Sequence, residues 1–128
     1  MRVAVPTWKG RISPVFDTSE RVLVSELDRG VITSRVVYSF ESDFLPHRAA
    51  SLRRWGVQTV LCGGISAYLA KLIAAQGIRV IPGLSGEVEE VLRAFYQGSP
   101  LNNRYSMPGW RGWKRRRYRR GRGGFRVF

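Results

Sequence analysis

Short apolar runs separated by polar or glycine-containing breaks give the chain its first outline. Residues 2 to 5 (Arg-Val-Ala-Val) read as a short strand ended by Pro6, and Thr7 to Glu20, with Gly10, Ser13 and Pro14, as a loop. Arg21 to Leu27 and Val31 to Ser39 are rich in β-branched residues and flank Asp28-Arg29-Gly30, a three-residue connection whose glycine accepts positive φ. This pattern predicts a hairpin. Pro46 suits the first turn of a helix with Leu45, Ala49 and Leu52 facing inward, and Gly56 ends it. Val57 to Cys62 is nearly continuously apolar, as in a strand covered on both faces.

After Gly63-Gly64-Ile65-Ser66 the period changes to that of a helix with Ile65, Leu69, Leu72 and Ile73 on one stripe, closed by Gly77. Ile78 to Ile81 is a further buried strand. Ser85 or Gly86 is the expected cap of a last helix with Glu87, Glu89 and Glu90 in its first turn and a stripe of Val88, Val91, Leu92 and Phe95. The order β-β-β-α-β-α-β-α, a hairpin followed by strand and helix in alternation, predicts an α/β protein. Its mixed sheet has about five strands, the later ones parallel, between layers of helices in a three-layer α/β/α arrangement. From Gly98 onward no period survives.

Composition sharpens this outline. At 128 residues and 44% hydrophobic, the chain supports one core and not two. No apolar run approaches the roughly 20 residues that span a bilayer, and the strand-like start broken by Pro6 does not read as a signal peptide, so a soluble cytoplasmic protein is expected. The single cysteine, Cys62, excludes an intrachain disulfide and any metal site built from several cysteines.

The net charge of +13 suggests nucleic acid until its distribution is considered. Residues 104 to 128 hold ten basic residues and no acidic one, whereas twelve basic and nine acidic residues precede them. The expectation is a near-neutral domain over residues 1–98 and a flexible basic tail over residues 99–128. Lys114-Arg-Arg-Arg-Tyr-Arg-Arg120 lies among Trp110, Trp113, Tyr118, Phe125 and Phe128. Cations for phosphates and aromatic faces for bases are how single-stranded RNA or DNA is commonly held. Binding of nucleic acid or another polyanion through this tail is therefore one reading of function. A solubilising extension is the alternative.

The segments VAVPTWKGRISPVFDTS, VQTVLCGGIS and GIRVIPGLSGEVEEVLRAFYQG, with the intervening hairpin and His47 near a helix start, resemble the dinitrogenase iron-molybdenum cofactor biosynthesis family. The resemblance covers residues 1 to 98, with ISPVF and CGGI as its more specific parts. It implies a ribonuclease-H-like α/β/α fold of the nitrogenase accessory factor kind. It also implies a non-catalytic carrier of an anionic metal-sulfur cluster, either iron-molybdenum or another molybdenum, iron or copper-sulfur cluster, working with a cofactor-assembly protein. Relatives often end in a glycine-rich tail bearing cysteine or histidine. This tail has neither, although its arginines can still neutralise an anion.

Two residues are candidate metal ligands. Cys62 stands where a parallel strand meets a glycine turn, the edge at which α/β folds place ligands, and reads either as a soft-metal thiolate or as a small buried hydrophobe. His47, the only histidine, lies where the resemblance places a recurrent family histidine; a surface or capping role is the other reading. Gly63 and Gly64 permit close backbone approach, and the amides at the start of the following helix, at Ser66, attract anions, although a Gly-Gly pair also serves tight packing. Lys9, Arg11 and Ser13 in the first loop, and Arg48, complete the candidate cofactor-binding set, with solvated surface as the alternative for the cations. Catalysis finds no support, because one histidine serves every serine, no GxSxG elbow occurs and the aspartates follow no metal-binding pattern. A non-enzyme is expected.

Overall fold

Strand β1 (Arg2–Trp8) is the middle of the sheet, with β3 (Arg21–Asp28) antiparallel on one side and β5 (Thr59–Leu61) parallel on the other. The computed structural model describes residues 1–101 and 105–108, so most of the expected basic tail lies outside the described residues. Val3, Ala4 and Val5 are fully buried because helices cover both faces of the sheet, Ala4 facing one layer and its two neighbours the other. The strand order is β4-β3-β1-β5-β6, where β4 is Val31–Ser39 and β6 is Arg79–Ile81. A two-residue strand, β2 (Arg11–Ile12), folds back on the end of β1 and makes the sheet six-stranded.

That strand comes from the segment whose turn residues suggest a loop. Lys9 and Gly10 have φ of 54° and 79°, the two positive values of a type I′ turn, and Trp8 pairs with Arg11. Pro6 does not end β1. Backbone N–H and C=O of one strand residue point to the same side, and the Pro6 carbonyl accepts from Ser13 N at 2.8 Å. The missing N–H thus faces the side where pairing with β5 has already stopped, at Ala4 with Val60. The β3–β4 connection is likewise a two-residue turn, Arg29 and Gly30 at φ 54° and 80°, since Asp28 pairs with Val31.

Three helices complete the layers. α1 (Leu45–Arg54) and α2 (Ala67–Ala75) lie together on one face, where Ala49, Leu52, Leu69 and Ile73 meet Val22, Val24 and Val60. α3 (Val88–Tyr96) covers the other through Val88, Val91 and Leu92. Glu87, not Ser85 or Gly86, precedes its first turn. The residues before it are held by a neighbouring strand: Ile12 N donates to Gly86 O at 2.9 Å, and Val88 N to Gly10 O at 3.0 Å. Among the described residues no helix is long and apolar enough to cross a membrane.

Past Gly98 the chain continues to pack on the domain. Leu101 and Tyr105 join the cluster under α3, Ser85 N donates to Tyr105 O at 2.6 Å and Met107 N to Gly83 O at 2.8 Å. Ser106 pairs with Leu84, which roots the following segment beside the end of β6.

Candidate functional site

The candidate residues gather at one edge of the sheet. α1 runs back toward the start of β5, so its N-terminus, with His47 and Arg48, lies at the same edge as the carboxyl ends of β1, β5 and β6. That edge is where open α/β sheets place ligands. Within it, packing separates the residues into a braced interior and two openings.

The Gly63-Gly64 turn belongs to the interior. A Cβ at Gly63 would stand 2.8 Å from Ser13 O, 3.1 Å from Pro14 O and 3.2 Å from Leu84 O, and one at Gly64 2.9 Å from Pro14 O. Gly64 N donates to Pro14 O at 2.7 Å, and Gly64 O accepts from Phe16 N at 2.8 Å. The space that the missing side chains leave is therefore filled by the chain's own carbonyls. The N-terminus of α2 is occupied as well: Ser66 N donates to Asp17 Oδ1 at 2.9 Å, while Ser66 Oγ accepts from Leu69 N at 3.0 Å. A carboxylate already satisfies the helix dipole where an anionic ligand was expected.

Cys62 has no exposed surface, and its N–H donates to Ile81 O at 3.0 Å. Burial first, and then the negative charge of Asp17, push its thiol pKa far upward, against formation of the thiolate that metals bind. Arg48 is also interior, with its side chain 3% exposed. Its Nε donates to Ser42 O at 3.2 Å, its Nη1 donates to the carbonyls of Phe16 and Ser19, and its Nη2 reaches Asp43 Oδ1 at 3.4 Å. The guanidinium carbon lies 4.5 Å from the centre of the Phe40 ring. It ties the Phe16–Ser19 segment to α1, a bracing role that no local sequence signal announces because its main partners lie about thirty residues away.

One opening lies over α1. A pocket of about 240 Å³ is lined by His47, Glu41, Ser42, Ser51, Arg54 and the buried Arg48, with Phe40 beneath. His47 is exposed and meets Phe44 edge-on at 4.8 Å, and Arg54 Nη2 donates to Ser51 Oγ at 3.2 Å. The pocket thus offers one exposed imidazole and the Arg54 guanidinium, since the Arg48 donors are already engaged.

The second opening is a groove of about 1020 Å³ on the α3 face. Its walls include Trp8, Lys9, Ser13, Val15, Arg21 and Val37. Trp8 is 58% exposed, Val15 45% and Val37 59%. Lys9 Nζ stands 4.7 Å from the Trp8 ring centre, and Arg11 is exposed on the adjoining β2. Lys9, Arg11 and Ser13 therefore belong with Trp8, on the other side of the Arg48 brace from His47. The sequence alone does not single out Trp8 or Arg21, and it reads Arg54 as the solvated face of its helix. The signal for Trp8 was its place before a Lys-Gly turn; Arg21 and Arg54 carry none. Among the described residues no three His, Cys, Asp or Glu side chains converge into a metal-binding cluster.

A family model described as dinitrogenase iron-molybdenum cofactor matches residues 1–98. No curated protein matches the sequence. Among solved structures, PH0822 is 22% identical, with a TM-score of 0.74 over 81% of this chain and 98% of its own. A Methanocaldococcus jannaschii protein provisionally named a dinitrogenase, MJ0327, is 20% identical, with a TM-score of 0.66 over 77% and 89%. A Thermotoga protein provisionally named NifB, TM1290, is 22% identical, with a TM-score of 0.61 over 76% and 88%. At these identities the structures speak for the fold, and the family model, matching most of the chain, speaks for kinship: the protein belongs to the dinitrogenase iron-molybdenum cofactor family.

Proposed function

We propose that this protein is a non-catalytic carrier of an anionic metal-sulfur cluster, accepting it from and passing it to a cofactor-assembly protein, with the His47 pocket as the cargo site. The observation that carries this reading is the exposed imidazole of His47 beside the Arg54 guanidinium in one pocket over α1, in a chain of this family. A neutral imidazole supplies one ligand to a borderline or soft metal. The Arg54 guanidinium stabilises the negative charge of the cluster. With few protein ligands in reach, such a pocket suits an assembled cluster better than a bare ion, and it suits release. Ligation falls to His47, while Cys62 serves as part of the core and Gly63, Gly64 and Ser66 shape the edge.

Anoxic incubation of the full chain with thiomolybdate, or with iron, sulfide and molybdate, tests the reading. A coloured species of fixed metal-to-protein ratio is expected, with His47→Ala losing most of it while retaining its far-ultraviolet spectrum. If no stoichiometric species forms, or if His47→Ala loads as well as the parent, the cargo site is not here.

A further inference from the structure

We infer that the protein associates with a second copy of itself through the free edge of β4, each strand pairing antiparallel with the other to continue the sheet across a two-fold axis at Val37. This inference does not rest on the carrier reading. β4 is an outermost strand of nine residues, whereas β6, at the other end of the sheet, has three. A long free edge is a template for a further strand, and proteins that stay single blunt it with lysine, proline, a free charge or a bulge. β4 contains neither lysine nor proline, and its one charged residue, Arg35, is held by Glu89 of its own chain through bonds of 3.0 and 2.8 Å. The bulge between Glu26 and Leu27 disturbs only the Val31 end. Residues 34–39 are therefore left as a regular, unguarded edge.

The ladder fixes which backbone groups are free. Just past the strand, Phe40 N donates to Glu20 O at 3.0 Å, so the residues bonded to β3 are Tyr38, Val36 and Ser34, at alternate positions from there. Arg35, Val37 and Ser39 direct their N–H and C=O groups the other way, out of the sheet. Antiparallel pairing centred on Val37 sets it opposite the partner's Val37, and sets Arg35 opposite the partner's Ser39 on either side of the axis. Every outward N–H of these three residues then meets a C=O of the second copy, and the reverse. Centring on Val36 instead would call on Thr33, beside the bulge, and centring on Arg35 would set two arginines opposite each other.

The same register matches side chains on both faces. On the α1 face Val36, 44% exposed, stands opposite the partner's Tyr38, and Tyr38 opposite the partner's Val36. Each tyrosine ring is already stacked on Trp55 at 4.2 Å, so little freedom is lost on pairing. An aromatic ring across from a β-branched side chain is a favourable cross-strand pair. On the α3 face Val37, 59% exposed, meets the partner's Val37, and each Arg35 meets a serine, so no like charges are opposed. Any extended segment satisfies the backbone of an edge. The alternation around Val37 is its own complement in backbone, apolar contact and charge, which is what a two-fold interface requires and what selects a second copy as the occupant.

One strand pair is a small interface, under about 1,200 Å² in total, so a dissociation constant of roughly 10–100 μM is expected. Sedimentation equilibrium of the full chain from about 2 to about 300 μM is the test, in about 0.3 M salt to screen the net charge of +13. The mean mass should rise from that of one chain toward two. Val37→Lys, at an exposed position, opposes like charges at the axis and should weaken association about tenfold or more while the far-ultraviolet spectrum stays that of the parent. Val37→Cys should oxidise readily to a covalent dimer, because opposed Cα atoms about 5.5 Å apart suit a disulfide and the native Cys62 is buried. Val31→Cys, 61% exposed but far from the axis, should not. A parent that stays single at every concentration or grows past two chains, a Val37→Lys variant that associates like the parent, or equal oxidation at the two positions overturns the inference. His47→Ala should associate as the parent does, so failure of this inference and failure of the carrier reading are separately visible.

Discussion

The His47 pocket and the Trp8 groove share one edge of one sheet and differ in almost everything else. The pocket is small and backed by Arg48, which is buried and committed to the carbonyls of Phe16 and Ser19. The groove is about four times larger and shallow, and it exposes Trp8, Val15 and Val37. The Phe16–Ser19 segment, pinned by Arg48 on one side and by Gly64 and Ser66 on the other, divides them. Residues assigned by type to one site thus fall into two separate openings. Cations are not equivalent because they are near one another in sequence or edge. What matters is whether their donors are already spent.

The largest test of this division is Arg48, the brace common to both. Arg48→Met keeps the bulk of the stem but leaves the carbonyls of Phe16 and Ser19 without their donor, and a loss of about 3 kcal/mol is expected in urea unfolding. Loading of the pocket should fall and Trp8 fluorescence should shift together in this variant; if only one changed, the two openings would not share a brace.

Gly63→Ala sharpens the contrast. Its Cβ would press on Ser13 O at 2.8 Å and on Leu84 O at 3.2 Å, and relief requires backbone movement. A cost of about 2 kcal/mol is expected. Ser13 and Pro14 line the groove and not the pocket, so Trp8 fluorescence should shift while the behaviour of His47, read by its imidazole proton resonances, stays nearly unchanged.

The smallest effect concerns Cys62, which belongs to neither opening. In the unfolded chain its thiol ionises near pH 8.5, whereas in the folded protein burial holds it protonated well beyond that. Above that pH the unfolded state binds fewer protons than the folded one, so stability falls as pH rises. A decline of about 1 kcal/mol between pH 8 and pH 9.5 is expected, flattened in Cys62→Ala, together with very slow alkylation of the native thiol and fast alkylation in denaturant. Rapid native alkylation at pH 8 would return Cys62 to the list of candidate ligands.

Much of the fold was legible because it is written in near neighbours. The apolar run ending at Cys62, the stripes of α2 and α3, Pro46 at the start of α1 and the glycines after each helix act within a turn or two of chain, so their periods and φ requirements can be read directly. The β1–β2 hairpin was obscured because Lys9, not glycine, takes the first positive φ of its turn. The candidate site was less legible. The edge at which the candidate residues gather followed from the order of elements, but Gly63 against Ser13, Ser66 against Asp17 and Arg48 against Phe16 are contacts across thirty to fifty residues.

By itself, then, the sequence determined an α/β sheet with its glycine turns, the family kinship and the concentration of positive charge in residues 104–128. Only tertiary structure decided that the glycine turn is packed by carbonyls, that Arg48 is a brace, that Cys62 is sealed, and that His47 and Trp8 open on different sides. Crossover connections bring those groups together, and the partner each donor finds depends on which strands become neighbours, a choice made by burial of the whole apolar set and not by any residue's local pattern.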